Sequence, residues 1–240
     1  MKKIDVCLSP DLIDLYKIED RIVVVVDVLR ATTCMVTALA NGVRRIRTFA
    51  DLEACRMMKH SGYLVAGERG GEKVEGFDLG NSPINYLDDK YLGDQVAITT
   101  TNGTLAIEKS RNGHEVIIGA LVNLNAVVEY LRSQDRNVLI FCAGWKGKVN
   151  MEDTLFAGAV VELLKDEFEA ECDAPQLAQI MYNNVKEDIY GNLKNASHVK
   201  RLSGFDIEED IKFCLTVDKY DVIPVLLDRD LVIKQQQLHI

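Results

Sequence analysis

The sequence predicts an α/β fold, with mostly parallel sheet flanked by helices and room for two lobes around a cleft. Three observations carry that expectation. Short β-branched runs alternate with amphipathic stretches of about ten to fifteen residues, the spacing of βαβ units. The runs Ile22-Val-Val-Val-Val26 and Val138-Leu-Ile-Phe141 are continuously apolar, as strands are when helices cover both faces of their sheet. A chain of 240 residues, 48% hydrophobic and 27% charged, also buries enough surface for one such domain or for two small lobes.

In chain order, a strand over 4–8 and the apolar strand over 22–28 lead into a helix over 32–41. A strand over 44–49 and a helix over 51–60 repeat the unit, and strands over 63–67 and 95–100 follow. The helix over 102–111, strand over 115–118, helix over 123–133, strand over 137–142 and helix over 152–164 continue the alternation. Residues from about 162 to 215 read as largely helical with no strand signal, and a strand over 222–226 opens a short β pair around Asp228. No repeat, low-complexity tract or Pro/Gly-rich linker interrupts the chain. It reads as a single α/β domain over 1–240, with a soft division into two lobes near 120–135.

A formal net charge of -9 argues against a nucleic-acid partner. The whole-molecule field does not attract an anion either, so an anion site must be built locally from Arg, Lys, backbone N–H groups or a metal ion. Six cysteines are scattered without a CxxC pair or ligand cluster, which reads as reduced thiols in the cytoplasm. The opening MKKIDVCLSP has too short an apolar stretch for a signal-peptide core, and no run approaches a membrane span. No membrane partner is expected; a homodimer is compatible with the size, although no interface signature is visible.

Four segments differ from ordinary connectors, and each lies where a strand is predicted to end. They are Asp27-Val-Leu-Arg-Ala-Thr-Thr33, the glycine-rich stretch Gly67 to Pro83, Thr99-Thr-Thr-Asn-Gly-Thr104, and Cys142-Ala-Gly-Trp-Lys-Gly-Lys148 continuing to Asp153. In open parallel sheets ligands bind at the carboxyl ends of strands, so four such loops along one sheet edge are expected to share a site. Asp27 ends an apolar strand and is either the N-cap of the next helix or a functional carboxylate. Arg30 offers planar paired donors suited to phosphate, and Thr32 and Thr33 add hydroxyls at a helix start.

The second segment sets Glu68, Glu72, Glu75 and Asp78 beside Arg69 and Lys73. That mixture suits a site for both Mg²⁺ and a phosphate, and equally a solvated surface loop. Thr99–Gly103 is either a hydroxyl- and N–H-rich pocket or a plain helix cap. Glu152 and Asp153 open a helix after Lys146 and Lys148, where acidic residues commonly complement the dipole; Asn150 with Asp153 also resembles a weak capping box.

Several phosphatase and phosphate-binding chemistries are missing their motifs. The Asp-x-Asp of haloacid-dehalogenase-type enzymes is absent, because residue 29 is Leu. Cys142 is followed at the Cys-x5-Arg spacing by Lys148 rather than Arg. Gly144-Trp-Lys-Gly-Lys148 is too short for a Walker loop, there is no HExxH, and nothing selects His60, His114, His198 or His239.

As a set, Val-Val-Val-Asp27-Val-Leu-Arg30-Ala-Thr-Thr33, Gly67-Glu-Arg-Gly-Gly71, Gly80-Asn81-Ser82-Pro83, Thr99-Thr-Thr-Asn-Gly103 and Cys142-Ala143-Gly144 with Glu152-Asp153-Thr154 resemble the 2-phosphosulfolactate phosphatase family, over residues 1 to about 235. The resemblance implies a Mg²⁺-dependent hydrolase converting 2-phospho-3-sulfolactate, a small anionic phospho-acid, to 3-sulfolactate and phosphate. In methane-producing archaea that reaction is a step toward coenzyme M; the family also occurs in bacteria lacking the pathway. The expected catalytic residues are Asp27, Arg30, Glu68 and Asp153, with Asp27, Glu68 and Asp153 around the metal. Thr32, Thr33, Arg69, Asn81, Ser82, Thr100, Thr101, Asn102, Gly103, Cys142, Ala143, Gly144, Lys146 and Lys148 are expected to line the substrate. Asp27 is open to two roles, metal ligand or nucleophile. A broader 2-phospho-acid phosphatase, for example for phospholactate, and a non-catalytic anion-binding module are the alternatives.

Overall fold

The computed structural model describes residues 1–202 and 207–234; His239 and positions 203–206 of the helical stretch lie outside them. The strands are β1 (Lys2–Cys7), β2 (Arg21–Val26), β3 (Arg45–Thr48), β4 (Leu64–Arg69), β5 (Glu72–Lys73), β6 (Gln95–Thr99), β7 (Glu115–Gly119), β8 (Asn137–Cys142), β9 (Phe168–Ala170), β10 (Pro224–Leu227) and β11 (Asp230–Ile233). The helices are α1 (Ala31–Ala40), α2 (Leu52–Met57), α3 (Gly103–Lys109), α4 (Leu124–Ser133), α5 (Met151–Leu163), α6 (Asp173–Val185), α7 (Ile189–Leu193), α8 (Ser197–Leu202) and α9 (Glu208–Cys214).

The predicted βαβ alternation is present, with two strands unforeseen, the two-residue β5 in the glycine-rich stretch and β9. β9 lies within the stretch read as helical, because Phe168 alone buries an apolar side chain there while β1 supplies an edge for it to pair with. The apolar runs alternate as a two-faced sheet requires. Ile22, Val24 and Val26 of β2 join the core under α4 and α5, while Val23 and Val25 join the core under α1 and α3. Ile140 and Phe141 of β8 divide between the two cores in the same way.

Among the described residues the strands form one sheet in the order β5-β4-β6-β3-β11-β10-β7-β2-β8-β1-β9. Two parallel blocks, β4-β6-β3 and β7-β2-β8-β1-β9, are joined through the β10–β11 hairpin. The steps β7–β10, β10–β11 and β11–β3 are all antiparallel, so the two blocks run in opposite directions. The expectation that the four loops share one edge of one parallel sheet is corrected accordingly. The carboxyl ends of β2 and β8 belong to one block and those of β4 and β6 to the other. They meet nonetheless, since Asn102, after β6, accepts from the N–H of Lys146, after β8, and Gly103 lies against Asp27, after β2. The junction is held by Asp230, which accepts from Arg47 Nε (2.6 Å), Arg47 Nη2 (2.9 Å) and Arg45 Nη1 (3.1 Å) across the β11–β3 pairing.

Candidate active site

Asp27 is the first residue after β2 and is buried, 5% exposed. Its N–H donates to Thr32 Oγ1 (3.0 Å), and Thr33 Oγ1 donates to the Val28 carbonyl (2.9 Å). The two hydroxyls expected at a substrate therefore brace the β2–α1 turn from within. The Asp27 carboxyl caps nothing. Arg30 occupies the N-cap of α1 without a side-chain cap bond, and the Asp27 carboxylate has no hydrogen-bond partner among the described residues. The capping alternative for Asp27 is thereby removed.

The surrounding carboxylates do have partners. Asp153, fully buried in the first turn of α5, accepts from Val28 N (2.8 Å), Gly144 N (3.1 Å) and Asn150 Nδ2 (2.9 Å). It ties the loop after β2 to the loop after β8, a larger role than complementing a helix dipole. Glu68 accepts from Gly71 N (2.8 Å) and Thr101 N (2.8 Å), which ties the β4–β5 turn to the loop after β6. Glu68 and Arg69 lie in β4 rather than in a solvated loop. Gly70 (φ 67°) and Gly71 (φ 101°) make the two-residue hairpin turn into β5 that only positive-φ residues allow.

Arg69 donates through Nη2 to Thr99 Oγ1 (2.9 Å). Thr100 and Thr104 bind each other reciprocally, each accepting the other's N–H through its hydroxyl (3.1 and 3.2 Å). Thr101 Oγ1 is buried without a partner. The two halves of the site close on each other at Asn102, whose Oδ1 accepts from Lys146 N (3.3 Å), and at Gly103. A Cβ on Gly103 would lie 2.6 Å from Ala31 Cβ and 2.8 Å from Asp27 Oδ2, so only glycine allows the start of α3 this close to the carboxylate.

Arg30, also 5% exposed, is paired with Asp210 of α9 and donates to the Gly71 carbonyl (3.1 Å). Ser82 Oγ donates to the other oxygen of Asp210 (2.7 Å), and Asn81 is buried with its Oδ1 unpartnered. Arg30, Gly71, Lys73, Asn81, Ser82 and Asp210 line an open groove of about 930 Å³. Cys142 and Ala143 are buried at the end of β8, and burial pushes the Cys142 thiol well above its ordinary pKa, which disarms it as a nucleophile. Lys146 and Lys148 are exposed on a small turn in which Trp145 pairs with Lys148.

Four carboxylates crowd this centre. Burial, then the charge of Asp153, then those of Glu68 and Glu152, push the Asp27 pKa above the ordinary carboxylate range, with His198 opposing. Burial and Glu152 push Asp153 the same way against its three hydrogen bonds. No group of three metal-ligating side chains forms among the described residues.

Four further residues belong to the surroundings of the site: Asp210, His198 and Arg201, which the sequence did not single out, and Glu152, which it offered only as an acid at a helix start. Asp210 lies in an acidic run of an amphipathic helix and gives no signal, since its partner Arg30 is 180 positions away. Glu152 is fully buried and bonds His198 Nδ1, while its Oε2 has no partner. His198 and Arg201, three apart on one face of α8, both pack on Trp145, at 5.4 and 3.4 Å from the ring centre. Only the lone Trp beside Gly144 could have hinted at this cluster.

With this geometry in place, comparison with known proteins is direct. The family model described as 2-phosphosulpholactate phosphatase matches residues 7–229. A relative from Caldanaerobacter subterraneus subsp. tengcongensis, named probable 2-phosphosulfolactate phosphatase, is 40% identical over 215 residues, covering 87% of this chain and 89% of its own. Relatives of the same name from Thermotoga petrophila (39% over 232 residues, covering 97% and 99%) and Microcystis aeruginosa (37% over 234 residues, covering 94% and 97%) match as fully. The chain belongs to the 2-phosphosulpholactate phosphatase family. No helix among the described residues is long and apolar enough to cross a membrane.

Proposed function

We propose that this protein is a Mg²⁺-dependent phosphatase that hydrolyses 2-phospho-3-sulfolactate to 3-sulfolactate and phosphate. The carrying observation is the Asp27 carboxylate, buried without a hydrogen-bond partner among Asp153, Glu68 and Glu152 where four strand-end loops meet. Family membership supports the substrate.

The donor set fits Mg²⁺. That ion is commonly held through one or two carboxylates, waters and substrate phosphate oxygens rather than by an all-protein cage. Asp27 would be its direct ligand. Glu68 and Asp153, already bonded to backbone N–H groups, add negative charge around it. Bound there, the ion supplies charge neutralisation at the phosphate oxygens. Arg30 and Arg69 bring fixed positive charge to the phosphate, and Asp210 and Thr99 hold their guanidinium groups in place. The crowding of buried carboxylates around Asp27, which a bound cation would relieve, favours the ligand role over the nucleophile role.

Phosphate release from 2-phospho-3-sulfolactate, lost on adding EDTA and restored by Mg²⁺, is the expected result. Tight anion binding without turnover of any phospho-acid would overturn the reading. Rapid quench with labelled substrate is expected to trap no phosphoenzyme; a labelled Asp27 would transfer the residue to the nucleophile role.

A further inference from the structure

Arg201 is the most conspicuous cation that the proposed chemistry leaves without a task. Its Nε and Nη2 are buried and without hydrogen-bond partners, and it forms no ion pair among the described residues. A guanidinium donor shielded from water and left unbonded is costly, and such orphans mark either a ligand or an ordered water. The group is held, not loose, since its Cζ lies 3.4 Å from the centre of the Trp145 ring, over its face. Burial lowers its pKa while Glu152 opposes, so the charge sits in a poorly solvated place where a bound anion would stabilise it.

Position links this cation to the acidic centre. Gly144, the residue before Trp145, donates to Asp153 (3.1 Å). Trp145 also covers His198, and His198 bonds Glu152, the neighbour of Asp153. Arg30 and Arg69 are engaged elsewhere, one paired with Asp210 of α9 and one bonded to Thr99 of β6.

We propose that Arg201, stacked on Trp145, binds the sulfonate of the substrate while the phosphate sits at Asp27. This rests on the function proposed above. The substrate carries phosphate and sulfonate on adjacent carbons, so the second anion must be met by a group close to the first. A sulfonate spreads its charge over three oxygens and is weakly hydrated, which matches a guanidinium better than the ammonium of an exposed lysine. Lys146 and Lys148, which the resemblance placed along the substrate, are exposed to water that would screen them.

The test compares kcat/KM for 2-phospho-3-sulfolactate and for 2-phospholactate, which has a methyl group where the first has a methylene sulfonate. In R201A the ratio of the two values is expected to fall ~10- to 100-fold, with the loss carried by the sulfonated substrate. R201K, which keeps charge but not the planar fork, is expected to fall between. A ratio equal to that of the wild type, or an equal loss on both substrates, would overturn the assignment, the second result placing Arg201 with the phosphate, the carboxylate or the fold. Wild-type protein inactive on both substrates would instead overturn the phosphatase reading itself.

Discussion

At Asp27 the cost of burying a carboxylate is not offset by a hydrogen bond, and nearby acids raise it further. Between the ordinary carboxylate pKa of about 4 and the raised one, the folded protein holds a proton that the unfolded chain does not. Metal-free protein should therefore lose stability as pH rises through that interval. Asp27→Asn removes the charge, so in EDTA at pH 8 its melting temperature is expected to exceed that of the wild type, while turnover falls by ~10²–10³-fold or more. Thermal melts at pH 5 and pH 8 with matched phosphate-release assays check both. Gly103→Ala tests the neighbouring contact. Its methyl group would be driven against Ala31 and Asp27, and a displacement of about 1 Å is enough to lower turnover ~10²-fold. A variant with normal kcat would show that the approach of α3 to Asp27 does not matter.

Among the elements, α9 and the β10–β11 hairpin perform long-range work through single acids. Asp210 pins Arg30 and Ser82 at once, so Asp210→Ala leaves a buried guanidinium unpaired and should cost ~3–5 kcal/mol in urea unfolding. Asp230 clasps Arg45 and Arg47 at the step where strand direction reverses between the blocks. Burial would raise its pKa, but the hydrogen bonds and charges of Arg47 and Arg45 hold it below the ordinary value. A group depressed in this way stabilises the fold above its unfolded pKa and loses that contribution as pH falls through the folded one. Asp230→Asn should accordingly lower the melting temperature at pH 7, and the difference from the wild type should shrink as pH falls through the depressed pKa. Nearly every helix and strand was legible beforehand because periodicity is local. β9 was not, since three residues with one buried Phe become a strand only beside β1.

For the whole molecule, the site is a convergence of two opposed parallel blocks, and ligand binding should stiffen their union. Mg²⁺ at ~100 times its Kd is expected to stabilise the protein by about 2.7 kcal/mol, with the effect absent in Asp27→Asn. A melting temperature indifferent to Mg²⁺ in the wild type would count against a metal at Asp27. The acidic net charge gives no help in drawing an anion to this centre, so Arg30, Arg69 and Arg201 must act at short range.

The amino-acid sequence alone determined the α/β class, the four strand-end loops and the prominence of Asp27, because each is written in neighbouring residues. It left Thr32 and Thr33 indistinguishable from ligand-binding hydroxyls, and it carried no trace of Asp210–Arg30, Glu152–His198 or Arg201 on Trp145. Those pairings join elements far apart in the chain, while the approach of Gly103 to Asp27 and the bond from Lys146 N to Asn102 bring together two parallel blocks that run in opposite directions. Contacts between residues 46 to 180 positions apart exist only once the chain is closed, and they decide which charges are paired and which are left to meet a ligand.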